Sequence, residues 1–141
     1  MFTSPIETEN QEIHFSLLKE KNIRLFLKRE DQIHPFVSGN KFRKLKYNIE
    51  EAKKLSKQIL LTFGGAFSNH IVAAAVAGKI AGLKTIGVIR GEELGVDLAK
   101  TIATNATLRA AHNNGMIFHF VTREAYRTKT APSFIASLAT K

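Results

Sequence analysis

The sequence contains no cysteine, which excludes disulfides, thiolate zinc sites and cysteine nucleophiles. Histidine is sparse. His14, His34, His70, His112 and His119 form no HxxxH or HExxH pair, so no metal site is expected. Long hydrophobic runs are also missing. The longest, Ile71 to Ala77, is short and alanine-rich, well below the roughly 18 apolar residues of a membrane span. Residues 1–20 carry Glu7, Glu9 and Glu12 with no compact apolar block before a small-residue cleavage site. A signal peptide is therefore not expected, and the expected setting is cytoplasmic, with no membrane partner.

What is present suits an ordinary folded chain. The 141 residues are 44% apolar, enough for one average domain with a core of its own. The net charge of +9 is concentrated in Lys41, Arg43, Lys44, Lys46, Lys53, Lys54 and Lys57. Such a run can mark nucleic-acid binding. Here Glu50 and Glu51 interrupt it, and no aromatic-interleaved RNP pattern or zinc finger accompanies it. A solvated helix face explains it better, and no nucleic-acid partner is expected. A further explanation is an acidic remainder belonging to a longer protein.

The pattern along the chain alternates strand and helix. Residues 1–22 are polar and read as a surface segment, and Ile23 to Lys28 as a strand. His34-Pro-Phe-Val-Ser-Gly-Asn is turn chemistry, after which Asn40 can cap a helix carrying Phe42, Leu45, Ile49, Ala52 and Leu55 at helical spacing. Gln58 to Phe63 suits a strand buried on both faces and ends in Gly64-Gly65. Ser68 opens an alanine-rich helix to about Ala81, closed by Gly82. Lys84 to Gly91 is a strand, 97–113 a helix, and Met116 to Val121 a third strand. A helix start is possible at Ser133. This order predicts an α/β fold, with βαβ units and a parallel sheet.

Ligands in such sheets bind at the carboxyl ends of strands, against helix starts. Two segments qualify. In Ser38-Gly39-Asn40-Lys41, a lysine occupies the opening turn of a helix, where the dipole disfavours cations. That position, Arg43 and Lys44 nearby and partial burial would together favour the neutral amine that Schiff-base chemistry uses. In Gly64-Gly65-Ala66-Phe67-Ser68-Asn69-His70, a glycine pair leads into a helix start with polar side chains. Taken singly, each has a plainer reading: a surface lysine, and a tight turn with Ser68 as a simple cap.

Taken together and in order, LFLKRED, SGNKFRKLKY, LLTFGGAFSNH and a strand ending Ile89-Arg-Gly resemble the 1-aminocyclopropane-1-carboxylate deaminase/D-cysteine desulfhydrase family. The resemblance runs from about Leu25 to Tyr126. It implies an incomplete tryptophan-synthase-β-like fold of type II and the cofactor pyridoxal 5'-phosphate (PLP). It also implies a small amino-acid substrate and a homodimer in the full-length form. Lys41 matches the lysine that bears the cofactor and later moves protons. Asn69 matches the asparagine that hydrogen-bonds the cofactor's phenolic oxygen. Ser68 matches a serine that contacts substrate and is a candidate for proton transfer. Asn40 and His70 flank these positions as supports; His70, with Ser68 and Asn69, is a candidate at the substrate, and a packing role suits His70 equally. Lys28, Arg29, Glu30 and Asp31 match a signature assigned to structure.

Two departures matter. Ser38 and Ala66-Phe67 stand where family members often have Gly and Ile-Gln, which bears on substrate identity more than on cofactor use. Family enzymes also run to about two domains. Their phosphate loop, the residue facing the pyridine nitrogen and a tyrosine near the substrate all lie in the second half. The expectation is therefore a front fragment, inactive alone, with residues 1–54 in the large cofactor-binding domain and 55–141 in the small βαβ domain. The competing reading is a stand-alone βαβ module binding phosphate-bearing ligands or nucleic acid.

Overall fold

The computed structural model describes residues 7–139. A short antiparallel ribbon comes first: β1 (Asn10–Ile13), α1 (Ser16–Glu20) and β2 (Leu25–Lys28), with Ile13 opposite Leu25. The polar surface segment expected here thus contains a strand and a helical turn, while residues 1–6 lie outside the described residues. Leu25, Phe26 and Leu27 are all exposed, so both faces of β2 are open.

A 3-10 turn (Glu30–Gln32) leads to α2 (Gly39–Lys54). The helix cap is Ser38, not Asn40 as expected. Gly39 has φ +54, and its missing Cβ would meet nothing closer than 4.0 Å. Glycine is used there for backbone freedom and not for a close approach. Phe42, Leu45 and Ile49 form the buried stripe of α2.

The body of the molecule is β3 (Ile59–Gly65), α3 (Asn69–Ala81), β4 (Lys84–Arg90), α4 (Leu98–Thr104), α5 (Ala106–Asn113) and β5 (Met116–Val121). The strands form a parallel sheet in the order β3-β4-β5, with Gly65 beside Arg90 and Arg90 beside Val121. The single helix expected over 97–113 is two. Asp97 caps α4 by accepting from the Lys100 N–H (2.9 Å), and Asn105 breaks the run and caps α5 through the Leu108 N–H (2.9 Å). Such side-chain caps offer the backbone a local alternative to a continuous helix. Two further helices follow, α6 (Arg123–Arg127) and α7 (Pro132–Ala139).

The strand buried on both faces is β4, not β3. Thr85, Gly87, Val88 and Ile89 are buried in the central strand, while β3 pairs only with β4 and exposes Ile59. One sheet face packs on α3 and α5, with Ile71, Ala73, Ala74, Ala75 and Ala77 against Ile89, Met116, Leu108 and Ala111. Phe42, Leu45 and Ile49 of α2 join this core. Full burial of Phe42, Ile49, Ile71, Ile89 and Leu108 contributes about 1.5–3 kcal/mol per side chain. On the other face, Tyr126 meets Phe63 edge-on at 6.4 Å.

Small residues bring α3 close to the sheet. A Cβ on Gly64 would lie 2.5 Å from Ile71, and one on Gly78 would lie 2.1 Å from Thr85 Cγ2. These two contacts fix the height of α3, and so the place of its first residue, Asn69.

Candidate functional site

A cleft of about 400 Å³ opens where the first turns of α2, α3 and α5 converge. Its polar wall is Ser38, Lys41, Asn69 and Thr107, and the apolar remainder includes Phe36 and Val72. The two sequence segments thus meet in space, with Lys41 and Asn69 sharing one cleft. A hollow of about 460 Å³ on the β1–α1–β2 ribbon holds neither of them and is bounded by the Glu12–Arg24 ion pair.

The turn of α2 that carries Lys41 is held in place by its neighbours. The Arg43 guanidinium donates to both Glu30 oxygens (3.0 and 2.7 Å), and Thr8 Oγ1 donates to Glu30 at 3.1 Å. The ion pair ties the first turn of α2 to the preceding 3-10 turn, which gives Glu30 of the Lys28–Asp31 signature a structural task. Arg43 in turn holds the Glu30 carboxyl below its ordinary range. The partial burial expected for Lys41 is not found. It is exposed on the cleft wall, and the charge of Arg43 beside it is taken up by Glu30.

The polar atoms of the cleft are uncommitted. Ser38 and Ser68 are the N-cap residues of α2 and α3, yet neither hydroxyl caps its helix. Elsewhere Asp97, Asn105 and Thr122 all turn inward and accept a first-turn N–H. Among the described residues, the side chains of Ser38, Lys41, Asn69 and Thr107 make no hydrogen bond or ion pair. Helix starts leave N–H groups without intrahelical acceptors and carry partial positive charge. An amine, an amide and two hydroxyls gathered there suit an anionic ligand with a carbonyl group. Among the described residues, no three His, Asp or Glu side chains come together as a metal site would need.

Ser68 and His70 are outside the cleft wall. Ser68 is half-buried at the start of α3, beside the exposed Phe67 and Asn69. Asn40 is exposed in the first turn of α2. His70 Nε2 is hydrogen-bonded with Thr62 Oγ1 of β3 at 2.8 Å, which ties α3 to the sheet one residue after Asn69. Thr107 was not among the expected residues. Its only sequence signal is Asn105, a capping residue inside what looked like one helix.

Burial, then the charges of Lys41 and Lys44, lowers the His70 pKa below its ordinary 6.5. A histidine with a lowered folded pKa adds stability that is complete above the unfolded value. That stability is lost as pH falls through the folded value. The Glu12, Glu30 and Asp31 carboxyls are held below their ordinary range by hydrogen bonds from arginines. Between pH 7 and 5, the melting temperature of the wild type is expected to fall more than that of His70→Asn. Parallel melting curves across that range would show that His70 is not the group responsible.

No family model matches the chain. A Pyrococcus horikoshii protein provisionally named 1-aminocyclopropane-1-carboxylate deaminase is 34% identical over 78 residues, 55% of this chain and 24% of that protein. A Thermotoga maritima protein of the same provisional name is 39% identical over 77 residues, covering 54% and 25%. The bifunctional D-cysteine desulfhydrase/1-aminocyclopropane-1-carboxylate deaminase of Arabidopsis thaliana, a mitochondrial protein by name, is 31% identical over 102 residues, 72% of this chain and 25% of its own length. The crystal structure of an ACC deaminase homologue superposes with a TM-score of 0.54 at 23% identity, covering 97% of this chain and 49% of that one. The matched segment is about a quarter of the length of each of these three relatives. On these sequence matches and this shared fold, the chain belongs to the 1-aminocyclopropane-1-carboxylate deaminase/D-cysteine desulfhydrase family.

Proposed function

We propose that this chain supplies the cofactor lysine of a PLP enzyme that releases ammonia and a 2-oxo acid from a small amino acid. One observation carries the reading: the Lys41 amine and Asn69 amide share a cleft and have no partner within the described chain. The donor set fits the group, with an amine for its aldehyde, an amide for its phenolic oxygen and helix starts for negative charge.

When bound, PLP supplies an electron sink for charge developing at the substrate's α-carbon. Lys41 Nζ would hold the group by its aldehyde, and as a free amine would take and return the proton at that carbon. Asn69 would orient the ring by donating to its phenolic oxygen. Ser68 and the open N–H groups of α3 hold the substrate carboxylate, with about 0.3–1 kcal/mol from the helix dipole. The Thr62–His70 pair keeps that helix start at its height above the sheet. Two reactions suit these roles, elimination of sulfide from D-cysteine and opening of the aminocyclopropane ring. We favour the first.

The same reading assigns 1–54 to a large cofactor-binding domain and 55–141 to a small one, with α2 docking on α3 through Phe42, Leu45 and Ile49. It places the working form in the cytoplasm as a homodimer, with no nucleic-acid or membrane partner. Among the described residues, no helix is long and apolar enough to cross a membrane. The 141 residues alone are expected to release no ammonia. Steady ammonia release from the purified chain would refute this.

A longer parent carrying these residues, assayed with D-cysteine, L-cysteine and aminocyclopropane carboxylate, tests the activity. We expect 2-oxo acid from at least one, and none from any would overturn the reading. Ser68→Ala is expected to lower turnover about tenfold or more, as loss of one hydrogen bond to a charged group does, while the cofactor's visible absorption stays. Loss of that absorption in Ser68→Ala would contradict the assigned role.

A further inference from the structure

One hydroxyl in the cleft wall belongs to none of the sequence motifs. Thr107 is the second residue of α5 and is half-buried. Threonines in helices commonly satisfy their hydroxyl on a carbonyl three or four residues back. Thr104 does so, donating to the Lys100 carbonyl at 2.9 Å. Thr107 does not. The carbonyl four residues before it, on Ala103, lies in α4 beyond the extended Asn105 and accepts from Arg109 Nη1 at 2.7 Å. Asn105 meanwhile serves the backbone at the start of α5 through the Leu108 N–H. The turn is therefore held in place without Thr107, whose hydroxyl is left over in the wall that Lys41 and Asn69 share.

We infer that Thr107 is a further ligand-contacting residue, its hydroxyl donating to a carboxylate oxygen of an amino-acid or oxo-acid ligand whose reacting carbon lies at Lys41 Nζ. The inference rests on the reading of the cleft given under Proposed function. A carboxylate is favoured over a neutral group because, among the described residues, the wall holds one cation, Lys41, and no acidic side chain. The starts of α2, α3 and α5 add partial positive charge around it.

The test needs neither the cofactor nor turnover. The 141-residue chain is treated with glyoxylate, an aldehyde bearing a carboxylate, in the presence of cyanoborohydride. The lysine amine condenses with the aldehyde carbon and loses water, and hydride from the reagent reduces the C=N bond to a secondary amine. Propanal serves as the uncharged comparator, and peptide mapping gives the rate at each lysine. Thr107→Val is expected to slow glyoxylate labelling of Lys41 about tenfold, equivalent to ~1.4 kcal/mol. The propanal rate and the rates at Lys44 and Lys46 should be unchanged, and Thr107→Ser should restore the wild-type rate. Where the valine variant does not fold, Thr107→Ala is read in the same way. Equal glyoxylate rates at Lys41 in wild type and variant overturn the inference. Absence of PLP label at Lys41 with the Thr107 effect intact overturns the cofactor reading and supports the carboxylate contact.

Discussion

Replacing Lys41 with alanine is expected to abolish cofactor attachment and to lower turnover of a complete parent enzyme by about 10³-fold or more. On the proposed function two roles would be lost at once, the amine that bears the cofactor and the base at the substrate α-carbon. A positioned acid–base group alone contributes about 10²–10⁴ in rate. Lys41→Arg should fail nearly as badly, because a guanidinium keeps its proton and cannot act as the nucleophile. Stability should hardly change, since Lys41 is exposed and makes no ion pair or hydrogen bond among the described residues. Lys44→Ala and Lys46→Ala are the controls. They share the helix and its charge, and both should keep the cofactor's absorption band. Turnover measured alongside melting temperature separates the outcomes, and a Lys41→Ala enzyme within tenfold of wild type would end the assignment.

A clear loss of stability is expected from Gly78→Ala. The added methyl would sit 2.1 Å from Thr85 Cγ2, with the Leu83 carbonyl oxygen at 3.4 Å. Thr85 is only 2% exposed, and its branched side chain has little freedom about χ1. Overpacking of this kind costs about 1–3 kcal/mol, while replacing glycine in a helix returns about 1 kcal/mol. The near-overlap puts the cost at the upper end, for a net loss of about 2 kcal/mol. In a chain of this size that lowers the melting temperature by about 6–10 °C. Gly65→Ala is the matched control, since its methyl would meet only Arg90 Nη2 at 3.8 Å. Equal melting temperatures for the two variants would contradict the close packing of α3 on β4.

The difference between those glycines could not be read from the sequence, where all look like turn or helix residues. The helices were legible because their signals are local. The Phe42–Leu45–Ile49 stripe predicts α2, and Ser68 with Gly82 brackets α3. What failed depends on neighbours distant in the chain. Gln58 to Phe63 is as apolar as Lys84 to Arg90, yet the sheet order puts β4 between two strands and leaves β3 with one. Asn40 looked like a cap, but the chain enters α2 through Ser38, with Gly39 at positive φ. Asn105 reads as a helical residue until its side chain is seen on the Leu108 N–H.

The site divided in the same way. Lys41 and Asn69 were singled out as candidates from the sequence, and the structure places both in the wall of one cleft. That Arg43 would spend its charge on Glu30, thirteen residues back, needed coordinates. Thr107 was missed because a single threonine carries no pattern, and only its lack of an internal partner singles it out.

The central claim is that Lys41 bears the cofactor. Its most direct measurement is borohydride reduction of the PLP-treated protein, followed by peptide mapping. The expected result is a single phosphopyridoxyl group on Lys41, lost in Lys41→Ala. Label on Lys44 or Lys46, or spread evenly over the basic face of α2, would contradict the account.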